Sequence, residues 1–133
     1  MAQILLIEPD RVLAETYYRL FVGDGHSVVV CAGAQAAIMA ADQIKPDVVV
    51  MELQLIEHSG IEFLYEFRSY MDWRAVPIIL QTQVQPGEFS ANWELLRSEL
   101  GVSQFLYKPH TTLHQLQRAV REALPQPAGL ETS

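Results

Sequence analysis

The chain has 133 residues, half of them apolar and 19% charged, and nine Lys and Arg against sixteen Asp and Glu leave a formal charge of −7. That length suits one domain around a single core. No apolar run approaches the length of a membrane span, and the scattered cations form no basic stripe of the kind that releases counterions from nucleic acid.

The N-terminal stretch Met1-Ala2-Gln3-Ile4-Leu5-Leu6-Ile7 lacks the basic region and long apolar region of a signal peptide, so a cytoplasmic location is expected. The single cysteine, Cys31, excludes an internal disulfide and sits in the apolar run Val28-Val29-Val30-Cys31, where it reads as a small core residue.

In chain order, Ile4-Leu5-Leu6-Ile7 reads as a buried strand that ends in Glu8-Pro9-Asp10. Asp10 is a candidate N-cap for a helix from Arg11 to about Val22, with Leu13, Tyr17, Leu20 and Phe21 on its apolar face. Gly23-Asp24-Gly25 stops that helix. His26 to Cys31 is a second strand, and Ala34 to Ile44 a second helix with Ala37, Ile38, Ala41 and Ile44 inward.

Pro46 ends whatever helix precedes it. The run Asp47-Val48-Val49-Val50-Met51-Glu52-Leu53 then reads as the central strand, buried on both faces. A loop to Ser59 and Gly60 leads to a third helix, about Ile61 to Tyr70, that buries Phe63, Leu64 and Phe67. Val76 to Leu80 is a fourth strand, and Gln81 to Gly87 is expected as a polar loop. Phe89, Trp93, Leu96 and Leu100 mark a fourth helix, ended by Gly101. Val102 to Tyr107 forms a fifth strand leading into Lys108-Pro109. Thr111 or Thr112 caps a last helix carrying Leu113, Leu116, Val120 and Leu124. Residues 125–133 read as a flexible tail or the start of a linker, so the expected domain spans residues 1–124.

Five strands alternating with five helices imply a parallel sheet covered on both faces, a flavodoxin-like (βα)5 three-layer sandwich. With strand order 2-1-3-4-5, the ends of the first, third, fourth and fifth strands converge at the crevice where such folds bind ligands. Those ends bring Glu8, Glu52, Thr82 and Lys108. Acids that hold a cation, an acceptor carboxylate, and a hydroxyl and ammonium for phosphoryl oxygens make up a phosphoryl-transfer constellation.

Over about residues 3 to 124 the chain resembles the receiver domain of two-component response regulators, of the chemotaxis type. The resemblance rests on Ile4-Leu5-Leu6-Ile7-Glu8, Pro46 to Glu52, Gly60, Pro77-Ile78-Ile79-Leu80-Gln81-Thr82 and Lys108-Pro109. It implies Glu52 at the phosphoacceptor position, Thr82 and Lys108 at the switch and phosphate-binding positions, and Phe105 at the switch aromatic. It also implies partners met through the face of the fourth helix, fifth strand and fifth helix, where Val84 and Tyr107 are expected to be exposed.

Several positions depart from the family. Of the two adjacent acids expected after the first strand, the second stands as Pro9, which has no side-chain oxygen for magnesium. The acceptor aspartate stands as Glu52, whose extra methylene carries the carboxylate about 1–1.5 Å further out. Gln83 follows Thr82 where a small residue is usual, and His110 follows the Lys-Pro step.

Losing one charged ligand weakens metal binding by about 1–3 kcal/mol, and an ångström of misplacement can cost about 100-fold in rate. The expectation is therefore a non-enzymatic, atypical receiver that acts by protein contacts with a histidine kinase, an output protein or another receiver. Phosphorylation would be weak or absent, with no resident cofactor and magnesium binding weak at best. Glu8 and Asp10 form the acidic site, with Asp10 read first as a cap, and no metal ligand set is assigned. His110 and His114 lack a third ligand, and His26 and His58 read as exposed turn residues. The alternatives are a working magnesium-dependent receiver phosphorylated by a histidine kinase and a small flavodoxin-like enzyme or nucleotide binder. The latter is opposed by the absence of a glycine-rich phosphate loop after the first strand.

Overall fold

The computed structural model describes residues 2–55, 59–85, 87 and 93–125. Five parallel strands, β1 (Gln3–Ile7), β2 (Ser27–Cys31), β3 (Val48–Met51), β4 (Ile78–Thr82) and β5 (Val102–Tyr107), form one sheet in the order β2-β1-β3-β4-β5. The flavodoxin-like order expected from the alternating elements is the observed one. Among the described residues five α-helices cover it: α1 (Arg11–Gly23), α2 (Ala34–Gln43), α3 (Gly60–Ser69), α4 (Trp93–Ser98) and α5 (Leu113–Ala123).

The near-continuous apolar strands are explained by two separate cores. On one face Ile4, Leu6, Val48, Val50 and Ile79 pack against Tyr17 and Phe21 of α1 and Leu116 and Val120 of α5. On the other, Leu5, Ile7, Val49, Met51, Ile78 and Leu80 pack against α2, α3 and Leu96 of α4. A strand buried on both sides has no position for a polar residue until its tip. The tips are where the acids begin.

Local signals set the helix ends. The Asp10 side chain accepts from the amides of Val12 and Leu13, which caps α1. Of the two threonines, Thr112 is the cap of α5, in a reciprocal capping box with Gln115. Gly25 and Gly101 adopt φ of 92° and 64°, the left-handed region that glycine enters without cost.

The structure corrects several expectations. Strand β4 runs through Gln81 and Thr82, both buried, so the expected polar loop starts later. Pairing of Gln81 with Leu106 and of Thr82 with Tyr107 extends the ladder, and Pro77 lies before it. Ile44 lies beyond the end of α2 and is exposed, as is Leu113 in the first turn of α5. Val84 is buried, its amide donating to Thr82 Oγ1, and Tyr107 is half-buried. His26 is half-buried and its Nδ1 accepts from the amide of Ala2. Phe89, His58 and the tail beyond residue 125 lie outside the described residues. No described helix is long and apolar enough to cross a membrane.

Candidate functional site

The register of strands β1, β3, β4 and β5 builds the site. Ile7 pairs with Met51 and Met51 with Leu80, while Thr82 pairs with Tyr107. The next residue after β1 is Glu8, after β3 Glu52 and after β5 Lys108. The ladder continues one step past the strands, since the amide of Glu8 donates to the Cys31 carbonyl and that of Glu52 to Ile7. Both acids therefore leave backbones that are already fixed.

Their side chains meet at one lysine. Lys108 Nζ lies 2.6 Å from Glu8 Oε1 and 2.8 Å from Glu52 Oε1, and all three side chains are at least nine-tenths buried. Thr82 Oγ1 donates to Glu52 Oε2. Two backbone amides complete the set: Gln83 N donates to Oε1 at 3.2 Å and Gln54 N to Oε2 at 3.0 Å. The Glu52 carboxylate thus accepts four hydrogen bonds, one for each lone-pair direction it offers. Glu8 accepts the Asp10 amide at 3.1 Å on its other oxygen.

That difference in donors separates the two acids electrically. Burial raises the pKa of both. For Glu52 the hydrogen bonds from Lys108, Thr82 and Gln54 outweigh burial and hold the carboxyl below its ordinary value. For Glu8, burial prevails over the bonds from Lys108 and Asp10, and the pKa is raised. Nearby on α1, burial and then the charges of Glu8, Asp10 and Glu52 push the Tyr17 hydroxyl up to about 12.

The loop after β3 is pinned close to this carboxylate. Gly60 N donates to the Leu53 carbonyl at 2.6 Å, and Gln54 and Ser59 form an antiparallel bridge. A Cβ at Gly60 would stand 2.8 Å from Leu53 Cα, so the approach requires glycine. It keeps the Gln54 amide within reach of Glu52.

Of the residues singled out in the sequence, Glu8, Glu52, Thr82 and Lys108 share one cluster. Asp10 contributes its amide to Glu8 and its carboxylate to the α1 cap. Phe105 is half-buried and edge-on to Trp93 with ring centroids 5.6 Å apart. His110 packs its ring edge-on to Tyr107. The two backbone amides on Glu52 carry no side-chain signature and could not be read from sequence. A further buried pair, Gln81 Nε2 donating to the Tyr17 hydroxyl at 3.1 Å, has no sequence signal, because the two residues are 64 apart.

A divalent cation wants several free oxygens around an octahedron. Pro9 offers no side-chain oxygen, one oxygen of the Asp10 carboxylate is held at the helix cap, and the oxygens of Glu8 and Glu52 already face an ammonium, a hydroxyl and amides. Among the described residues no group of three or more His, Cys, Asp or Glu is arranged to hold a metal ion. The ammonium of Lys108 stands between the two carboxylates.

Comparison with known proteins agrees with this architecture. The chain is 27% identical over 124 residues to the KDP operon transcriptional regulatory protein KdpE of Escherichia coli (strain K12), covering 93% of this chain and 52% of that protein. It spans about half the length, or less, of the curated relatives it matches. Chemotaxis response regulator CheY4 of Vibrio cholerae superposes with a TM-score of 0.81 at 19% identity, covering 93% of this chain and 99% of that one. The receiver domain of sensor histidine kinase PA1611 from Pseudomonas aeruginosa PAO1, solved with a magnesium ion coordinated in its active site cleft, superposes with a TM-score of 0.79 at 24% identity. It covers 92% of this chain and 96% of its own. The defining pattern of the response regulator receiver domain matches residues 4–121, and the chain belongs to that family.

Proposed function

We propose that this receiver serves two-component signal transduction through protein contacts, without an efficient phosphoryl-transfer step at Glu52. One observation carries the reading: the Glu52 carboxylate accepts hydrogen bonds from Lys108, Thr82, Gln83 and Gln54 together. An ammonium, a hydroxyl and amides around one anion are the donors that would hold a transferred phosphoryl group. Here a side-chain carboxylate takes them, so Glu52 stands in for the modified residue.

To attack phosphorus, Glu52 would first have to release an oxygen from these donors. Each hydrogen bond to a charged group is worth about 1.5–3 kcal/mol, or about one to two powers of ten in rate. The ammonium also occupies the space a divalent cation would need between Glu8 and Glu52. On this reading the domain is non-enzymatic and cytoplasmic, holds magnesium weakly, and has no nucleic-acid or membrane contact of its own. Residues 1–124 form the working unit and residues 125–133 a tail. Its partners are a histidine kinase, an output protein or a second receiver, met through the face of α4, β5 and α5, with Phe105 coupling Thr82 to that face.

The kept hydroxyl of Thr82 and ammonium of Lys108 favour a second reading, a magnesium-dependent receiver phosphorylated by a histidine kinase. Incubation with acetyl phosphate and magnesium, followed by intact-mass spectrometry, separates the two. We expect an unchanged mass for the wild-type chain and partial phosphorylation for the Pro9→Asp, Glu52→Asp double variant. A phosphoryl group on wild-type Glu52 would establish the second reading. Magnesium titration followed by Trp73 and Trp93 fluorescence should stay flat to about 1 mM, the weak end of specific affinities.

A further inference from the structure

The two edges of the sheet are built differently. At the β5 edge the register shifts between Ile78 and Ile79, Ser103 is exposed, and the strand runs into Lys108-Pro109. Irregularity, polar residues and a following proline all blunt an edge against pairing. At the β2 edge the register with β1 is unbroken from Ser27 to Cys31, and the strand reads Ser-Val-Val-Val-Cys with no charge, proline or bulge.

The hydrogen bonds show which backbone groups that edge leaves open. Ser27 N donates to Ala2 O and Cys31 O accepts from Glu8 N, so Ser27, Val29 and Cys31 face β1. In a parallel ladder the alternate residues point the other way. The N–H and C=O of Val28 and Val30 are therefore directed off the sheet.

Apolar side chains surround this open edge. Val30 is 41% exposed, and Val12 and Tyr18 of α1 line with it a concavity of about 490 Å³ that opens beside β2. Val22 of α1 and Met39 of α2 are exposed as well. The local charge is close to neutral: β2 has none, and α1 carries Arg11, Arg19 and Glu15, the last two paired at 2.6 Å. A net charge of −7 makes two copies of the chain repel at long range, and a near-neutral patch limits that cost.

We propose that two copies of this chain associate through an antiparallel β2–β2 contact, joining their sheets across a two-fold axis at Val29. That centre sets Val28 of each copy opposite Val30 of the other. In an antiparallel pair such residues exchange both backbone bonds, so all four outward N–H groups and all four carbonyls find partners. The pairing is isologous and closes at two chains. Valine opposite valine on the α1 side is a favourable cross-strand pair. With strands about 4.8 Å apart and α1 packed over β1 and β2, the two α1 helices would stand about 10 Å apart, within contact range for helices. Val12, Tyr18 and Val22 are the side chains available to fill that space.

The test is sedimentation velocity of the wild-type chain from about 1 µM to about 1 mM, the range of a weak to moderate contact. The expected result is a weight-average mass rising from one chain towards two. Val30→Lys should hold it at one chain, Val30→Thr should preserve the rise, and Met71→Lys, on an exposed residue outside β2 and α1, should leave it unchanged. Backbone hydrogen exchange on the wild-type chain supplies a readout that needs no variant: Val28 and Val30 amides should exchange at least tenfold more slowly at the top of the range. A wild-type chain that stays monomeric, a Val30→Lys chain that still dimerises, or exchange at Val28 and Val30 that ignores concentration would overturn the proposal. A partner of another kind adding a strand at this edge would give the first of these results.

Discussion

Two cations sit at opposite ends of the sheet and are held in opposite ways. Lys108, at the tips of the strands, is balanced by the carboxylates of Glu8 and Glu52. Arg68, at the end of α3, reaches the carbonyls of Leu100, Trp73, Arg74 and Gly101, and burial lowers its pKa. A guanidinium on carbonyls ties together the end of α3, the turn after it and the turn before β5. It holds neutral backbone carbonyls. The lysine instead closes a set of three charges whose sum is −1, so its loss exposes two acids to each other. One end is fastened, and the other is balanced.

Removing each cation should show the difference. Lys108→Met leaves two buried carboxylates without a counterion and should cost about 3–5 kcal/mol in urea unfolding, with most of it recovered at acid pH as the carboxylates take up protons. Arg68→Met should cost about 2–3 kcal/mol through unpaired carbonyls, with little dependence on pH between 4 and 8, a window chosen to span the ordinary carboxylate value of about 4.5. If the two losses track pH alike, the distinction between fastening and balancing fails.

The acids sharpen the comparison further. Glu52→Gln keeps the shape but gives up the charge that Lys108 and Thr82 hold, and should cost about 1–3 kcal/mol at neutral pH. Because Glu52 is held below its ordinary value of 4.5, its contribution is present above that pH and is lost as pH falls. The gap between wild type and Glu52→Gln should therefore narrow in acid. Glu8 works in the other sense. Its raised pKa means the native state binds the proton more tightly, so ionisation costs stability as pH climbs from 4.5 through the raised value. Glu8→Gln should thus gain on wild type as pH rises. Parallel pH profiles for the two variants would show that the acids are equivalent.

How much of this was legible beforehand follows from the kind of signal involved. The unbroken apolar runs at Ile4–Ile7 and Val48–Met51 announced strands buried on both faces, and the Asp10 cap follows from local chemistry. Gln81 and Val84 misled because a polar or an apolar letter near a strand end does not say which side of the sheet it will meet. Leu113 and Ile44 carried the right spacing but fell in an end turn, where the helix no longer faces its core.

The sequence by itself determined the alternation of strands and helices, hence the parallel sheet, and it determined which ionisable residues stand at the strand tips. Those are consequences of periodicity and of chain order, which are local. Only the tertiary structure decided that one ammonium bridges Glu8 and Glu52 and that two backbone amides complete the shell of Glu52. It also decided which valines of β2 turn their backbone outward. Hydrogen-bond partners 30 to 56 residues apart are chosen by register between strands, and register is a property of the assembled sheet.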